Sequence, residues 1–280
     1  VLFIQHFGLR NAAKKDWEQE KLVYLKPVWT EENVFKNSEP IVLQENETLL
    51  VLGNGKNYIE AIKEQLSESI RENVIEAGYG ETFEKVKEAS YLVNPSKESD
   101  FAKVFEDLEK QGKILSNFIV FPFHEETVQD RIQYSFNVIV NLSNALMNSN
   151  SKETFHLLYC IQAHKEEQAL SGMFKGIFKE ADRFQYKTVM VDSKMNEKEL
   201  AASLLRELKR NLAYSEVLLK KDKRLVKQFE QIEILPKRAD KLAKDGGVYL
   251  ITGGLGAIGS AVAKYFADNH NVRIVLSGRR

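Results

Sequence analysis

Between two short apolar runs near its C-terminal end, the sequence places four glycines within seven residues: Gly253, Gly254, Gly256 and Gly259. Residues 248–251 before them read as a strand, and Ala261, Val262, Tyr265 and Phe266 after them fall on one face of a helix. A strand that turns tightly into a helix aims several backbone N–H groups, and the positive end of the helix dipole, at one point. That point suits a pyrophosphate. Glycine is needed where a Cβ would block the turn, the approach of a ligand, or the contact between helix and strand. The spacing can be read as Gly254, Gly256 and Gly259 or as Gly253, Gly256 and Gly259, so the candidate cradle is Gly253, Gly254, Leu255, Gly256, Ile258 and Gly259. A second apolar run, Val272 to Leu276, completes a strand–helix–strand unit around it.

That second run ends in Ser277, Gly278, Arg279 and Arg280. An NAD site would usually place an Asp or Glu there, on the ribose hydroxyls. Ser277, Arg279 and Arg280 instead offer fork-like donors and positive charge to a 2′-phosphate, so the expected cofactor is NADP rather than NAD. An earlier glycine turn, Gly53, Asn54 and Gly55, also follows an apolar run, but Tyr58 occupies its third glycine position. A ring at that position would crowd a pyrophosphate, and this turn is expected to bind no nucleotide.

Strand-length apolar runs at Thr48–Leu52, Ser90–Val93, Leu115–Phe121, Thr154–Ile161 and Lys187–Val191 alternate with stretches of helical period. Ile59, Ile62, Leu66, Ile70 and Val74 form one apolar stripe, and Phe101, Val104, Phe105 and Leu108 another. Val128, Ile132, Phe136, Ile139 and Leu146 form a third, behind a Thr127/Asp130 pair that reads as a cap. A fourth comprises Ala169, Met173, Ile177 and Ala181, widened by Phe174 and Phe178. The fifth, capped by Asn196 with Glu199 three residues on, carries Leu200, Leu204, Leu208 and Leu212. The order predicts an α/β fold: a Rossmann-like, doubly wound parallel sheet that binds no nucleotide, followed by the start of a second, NADP-binding Rossmann unit. Glu216–Leu219 and Leu225–Phe229 read as a hairpin, and the polar stretch Arg238–Gly247 as a linker.

Forty Lys and Arg balance forty Asp and Glu, so charge implies neither a nucleic acid nor an acidic membrane surface as partner. The one cysteine, Cys160, excludes an internal disulfide or a multi-cysteine metal site and fits a reducing cytoplasm. No apolar stretch approaches the ~18 residues of a membrane span, and the start shows no signal-peptide pattern. A first residue that is Val reads as a chain cut from something longer. His124 and His164 stand beside acids without a matching second cluster, so no metal site is expected, and His156 reads as a core residue.

The glycine turn followed by Ser277, Gly278 and Arg279 resembles the ketoreductase domains of modular polyketide synthases, within the short-chain dehydrogenase superfamily. Tyr24, Leu25, Lys26, Pro27, Val28 and Trp29 resemble the opening strand of that family's structural subdomain, and Ser171 to Asp192 its penultimate helix and strand. The resemblance implies three segments: residues 1–20 as a dehydratase tail and linker, 21–245 as the structural subdomain, and 246–280 as the incomplete start of the NADP-binding catalytic subdomain. It implies reduction of β-ketoacyl groups on acyl carrier protein with NADPH, neighbouring synthase domains as partners, and a Lys, Ser, Tyr and Asn tetrad lying after Arg280. The chain as it stands is therefore expected to be inactive alone. The alternative is a pseudo-ketoreductase that supports a neighbouring domain without catalysis.

Overall fold

The computed structural model describes residues 23–32, 43, 47–53, 56–121, 127–162, 168–179, 183–192, 195–208, 214–221, 223–233 and 243–278. A compact unit spanning Lys26–Glu230 contains nearly all of the regular structure, and a second unit contains the glycine turn. In the first unit the chain forms β1 (Tyr24–Glu31), β2 (Glu47–Leu52), α1 (Lys56–Glu64), α2 (Glu68–Arg71), β3 (Val74–Tyr79), β4 (Glu84–Lys87) and β5 (Ser90–Val93). It continues through α3 (Glu98–Lys110), β6 (Ile114–Val120), α4 (Val128–Asn148), β7 (Phe155–Gln162), α5 (Gln168–Lys179) and β8 (Phe184–Val191). The unit closes with α6 (Glu197–Leu208), β9 (Glu216–Lys220) and β10 (Lys223–Ile232).

The ten strands form one sheet in the order β1-β10-β9-β8-β7-β6-β2-β3-β5-β4. Seven strands from β9 to β5 run parallel to their neighbours, while β10 and β4 add antiparallel to β9 and β5. From β2 the chain winds outward through β3 to β5, then returns to the other side of β2 with β6 and continues through β7, β8 and β9. The direction reverses between β2 and β6. In open α/β sheets ligands bind outside the carboxyl ends of strands at such a point.

Successive residues of β2 enter opposite cores: Leu50 and Leu52 join Phe101, Val138 and Leu170 beneath α3, α4 and α5, while Leu49 and Val51 join Ile59, Ile70 and Leu200 beneath α1, α2 and α6. The sheet is covered on both faces, which is why its inner strands are apolar without alternation. The doubly wound α/β fold read from the sequence is borne out. Thr127 caps α4, its Oγ1 accepting from the Asp130 N–H at 3.1 Å, and Asn196 Oδ1 accepts from the Glu199 N–H at 2.9 Å ahead of α6.

Several elements differ from the sequence reading. Val74 does not extend the first helical stripe; it begins β3, buried against β2. Glu76 and Gly78 interrupt the apolar run that would have marked that strand, while Val74 happens to keep helical spacing from Ile70. The stripe on α4 is also displaced: Val128 and Phe136 are exposed, and the buried side is Val138, Ile139, Leu142, Ala145 and Leu146. On α5 the residues in the core are Leu170 and Phe174, with Met173 and Ile177 at its margin and Ala169 outside. Ala181, Leu212 and the Phe178 side chain lie outside the described residues, as do His124 and His164.

Two ionic clusters fix the β9–β10 end of the sheet. Glu207 of α6 accepts from Lys187 of β8 at 2.9 Å and from both Nε and Nη2 of Arg224 of β10, while Arg224 Nη1 reaches Glu32 just after β1. Lys187, Glu207 and Arg224 are all buried. On the opposite face Glu216 of β9 accepts from Ser171 at 2.6 Å, Lys175 at 2.8 Å and Lys227 at 2.9 Å.

Candidate nucleotide site

The second unit, described from 243 to 278, consists of β11 (Val248–Thr252), α7 (Ala257–Asn269) and β12 (Arg273–Ser277), with β11 and β12 parallel and in register from Val248/Arg273 to Thr252/Ser277. Tyr249 anchors the start: its hydroxyl accepts from the Lys244 N–H at 2.8 Å, and its ring meets Phe266 of α7 at 5.5 Å. The turn itself runs from Gly253 to Gly256, which sits at the N-cap position of α7.

Three of the four predicted glycines have a reason of their own in the geometry. Gly253 adopts φ +69°, a left-handed conformation that side chains disfavour. A Cβ on Gly254 would lie 2.8 Å from Leu276 of β12, and one on Gly259 would lie 2.6 Å from the Gly254 Cα. The helix can therefore rest on the turn only if residue 259 lacks a side chain. The Gly254 N–H donates to the Ser277 carbonyl at 2.9 Å, which ties the turn to the end of β12. The Ser277 backbone is thus placed beside the turn, whereas Arg279 and Arg280 lie outside the described residues.

Ser260 was not singled out from the sequence, yet its hydroxyl donates to the Gly254 carbonyl at 3.1 Å and its N–H to the Gly256 carbonyl at 2.9 Å. A hydroxyl one turn into a helix, directly after the last glycine, was the available signal. The amides of Ala257, Ile258 and Gly259 belong to the first helical turn and have no carbonyl within the helix to receive them. Leu255 and Ile258 are 65% and 83% exposed, so the mouth of the turn is open.

Of the earlier turn, Gly53 is among the described residues. Gly53 follows β2 at φ +142°, and a Cβ there would lie 2.8 Å from the Cβ of Phe121, the residue after β6. The Tyr58 ring stacks on Phe121 with centroids 4.9 Å apart and 16° between planes. The Tyr79 hydroxyl donates to the Phe121 carbonyl at 2.9 Å, and burial pushes its ionisation far above the usual phenol range, which keeps it a donor. The Tyr58 and Phe121 rings thus lie against each other at the carboxyl ends of β2 and β6. Tyr58 was singled out from the sequence; its partner Phe121 was not, because only the strand order brings the two together.

A family model described as "Beta-ketoacyl synthase-like, N-terminal" matches residues 47–208, more than half of the chain. The chain belongs to that family. The match runs from β2 through α6. The KR domain model matches residues 247–280, the unit of the glycine turn, so the ketoreductase resemblance read from the sequence holds for both parts. Polyketide synthase PksM of Bacillus subtilis (strain 168) is 46% identical over 63 residues, which is 22% of this chain and 1% of that protein. Polyketide synthase PksL of the same organism is 28% identical over 182 residues, 62% of this chain and 4% of that protein. The chain thus spans a few per cent of the length of these relatives. Among solved structures, an N-terminal ketoreductase from the macrolactin assembly line superposes with a TM-score of 0.72 at 20% identity, covering 91% of this chain and 53% of that one. That likeness establishes the fold. Among the described residues no helix is long and apolar enough to cross a membrane.

Proposed function

We propose that this chain is the structural subdomain and the beginning of the catalytic subdomain of a polyketide synthase ketoreductase that reduces β-ketoacyl groups on acyl carrier protein with NADPH. The observation that carries this reading is the β11–α7 turn, where Gly253, Gly254, Gly256 and Gly259 leave a side-chain-free cradle beneath the first turn of α7. The residues present fit a dinucleotide phosphate: the amides of Ala257, Ile258 and Gly259 converge as anion donors, and Ser277 stands beside them with Arg279 and Arg280 following in sequence.

NADPH, when bound, supplies a hydride to the keto carbon. This chain's part is to bind and orient. The Gly254 N–H bond to Ser277 and the Ser260 bond to Gly254 hold the turn rigid, so its donors are aimed before a ligand arrives. Arg279 and Arg280 read the 2′-phosphate, and the first unit, where the Tyr58 and Phe121 rings stack at the carboxyl ends of β2 and β6, acts as a scaffold. The segment boundaries follow the same reading: 1–20 upstream tail and linker, 21–245 structural subdomain, 246–280 the start of the cofactor-binding subdomain. The proton donor and its activating lysine are contributed by polypeptide outside residues 1–280. The test is reduction of a β-ketoacyl thioester by the polypeptide that continues past Arg280, followed by NADPH consumption. Turnover there and none by the 280-residue chain is the expected pair of results, and turnover by the 280-residue chain alone would overturn the division of labour.

A further inference from the structure

At the end of the sheet where β6 and β7 begin, a cavity of about 340 Å³ opens between α3 and the connection from α4 to β7. Its floor is apolar, made by Ala102 and Phe105 of α3, Ile114 and Leu115 at the start of β6, and Phe155 at the start of β7. Ile114, the first residue of β6, is 37% exposed there. The volume falls within the ~300–1,000 Å³ typical of ligand sites.

The shape and the charge of the rim narrow the occupant. Glu98, Glu106 and Glu109 line one side, and eleven residue steps along α3 from the first to the last cover roughly 16 Å at ~1.5 Å per residue. A trough of that length accommodates about five residues of extended chain at ~3.3 Å each. Glu153 faces it from the α4–β7 connection, so four carboxylates stand against the ammonium groups of Lys113 and Lys152. Lys113 is engaged with the Glu72 carbonyl at 3.4 Å. The carbonyls of Leu146 and Ser151 beside the cavity are already satisfied by Arg183, at 2.8 and 2.6 Å, so the carboxylates decide which charge is accepted.

We propose that this trough is a docking site for a basic peptide segment with an apolar anchor: the anchor fills the floor over Ala102 and Ile114, and flanking Lys or Arg side chains meet Glu106, Glu109 and Glu153. An acidic segment would face four carboxylates, of which Glu98 already accepts from Asn148 Nδ2 at 2.8 Å, and a purely apolar one would forgo the charge complementarity that the rim offers.

The probe is the acetylated, amidated pentapeptide Lys-Leu-Lys-Phe-Lys, labelled with a fluorophore and titrated against the 280-residue chain by anisotropy. Saturable binding is expected, with binding of the Lys-Ala-Lys-Ala-Lys and Glu-Leu-Glu-Phe-Glu versions at least about tenfold weaker. The exposed double replacement Glu106→Gln/Glu109→Gln should weaken the first peptide by about tenfold and reduce its salt dependence. Ala102→Trp, which fills the floor, should abolish saturation, with circular dichroism confirming that the fold is kept. If Ala102→Trp does not fold, the glutamate pair decides by itself. Absence of saturation, equal binding of the Lys-Ala peptide, or indifference to the glutamate replacements would overturn the proposal.

Discussion

The phenol ring of Tyr58 lies face to face with the ring of Phe121, 4.9 Å between centroids, across the point where the winding of the sheet reverses between β2 and β6. One residue belongs to α1 and the other follows β6, so the pair pins two ends of the sheet's central crevice to each other. Aromatic pairs of this kind contribute about 0.5–1.5 kcal/mol beyond their buried area. A double-mutant cycle with Tyr58→Ala and Phe121→Ala, read by urea unfolding, should return a coupling energy in that range. Coupling indistinguishable from zero would mean the two rings are adjacent without supporting each other.

The Lys187–Glu207–Arg224 cluster gives the fold a pH dependence with a definite sign. Burial by itself would raise the Glu207 carboxyl, but hydrogen bonds and charge from Arg224 and Lys187 outweigh it and hold the group below the usual carboxylate range. Glu216 behaves likewise, with burial opposed by Lys175, Ser171 and Lys227. A carboxyl depressed in the folded state contributes stability that is present above the unfolded value, about pH 4.3, and lost as pH falls through the folded one. Glu207→Gln leaves two buried cations undercompensated and should cost about 3–5 kcal/mol at pH 7. Measured by chemical unfolding from pH 7 to pH 3, the gap between the natural protein and the variant should narrow below about pH 4. A gap that stays constant across the range would show that Glu207 is not held as a carboxylate by these cations.

Arg183 closes the C-terminal end of α4. Its guanidinium donates to the carbonyls of Leu146, Met147 and Ser151 and lies over the rings of Phe155 and Phe184 at 5.2 and 5.6 Å. Lysine keeps the charge and loses the planar fork, so Arg183→Lys should lower unfolding free energy by about 2 kcal/mol. An unchanged denaturation midpoint would assign the effect to charge alone.

The fold was legible in the sequence where burial on both faces forces continuous apolar runs, as in β2, β6, β7 and β8, and where side chains announce a helix start, as Thr127 and Asn196 do. It was not legible at β3, where Glu76 and Gly78 break the run, nor on α4, where the apolar Val128 and Phe136 lie exposed. The glycine turn could be read residue by residue because close backbone packing admits only one residue type. Ser260 carried a signal in its place directly after the last glycine, but Phe121 carried none, since a ring meeting a distant ring depends on three-dimensional neighbours rather than spacing.

The same crowding supplies a test of the turn. A methyl group at residue 259 would lie 2.6 Å from the Gly254 Cα, so α7 must lift away from the turn in Gly259→Ala. The Gly254 amide, bonded to the Ser277 carbonyl at 2.9 Å, should then exchange with solvent at least about tenfold faster. Unaltered protection at that amide would show that the turn has room that its geometry denies.

Cofactor choice tests the account most directly. In the polypeptide that continues through the catalytic subdomain, kcat/KM should be measured with NADPH and NADH for the natural sequence and for Arg279→Asp. If Arg279 reads the 2′-phosphate as proposed, exchanging its guanidinium for a carboxylate removes an interaction of about 1.5–3 kcal/mol, so the preference for NADPH should fall by at least about tenfold while NADH turnover is retained. Equal loss with both cofactors would contradict the account, because Arg279 would then support the turn or the fold rather than read the phosphate.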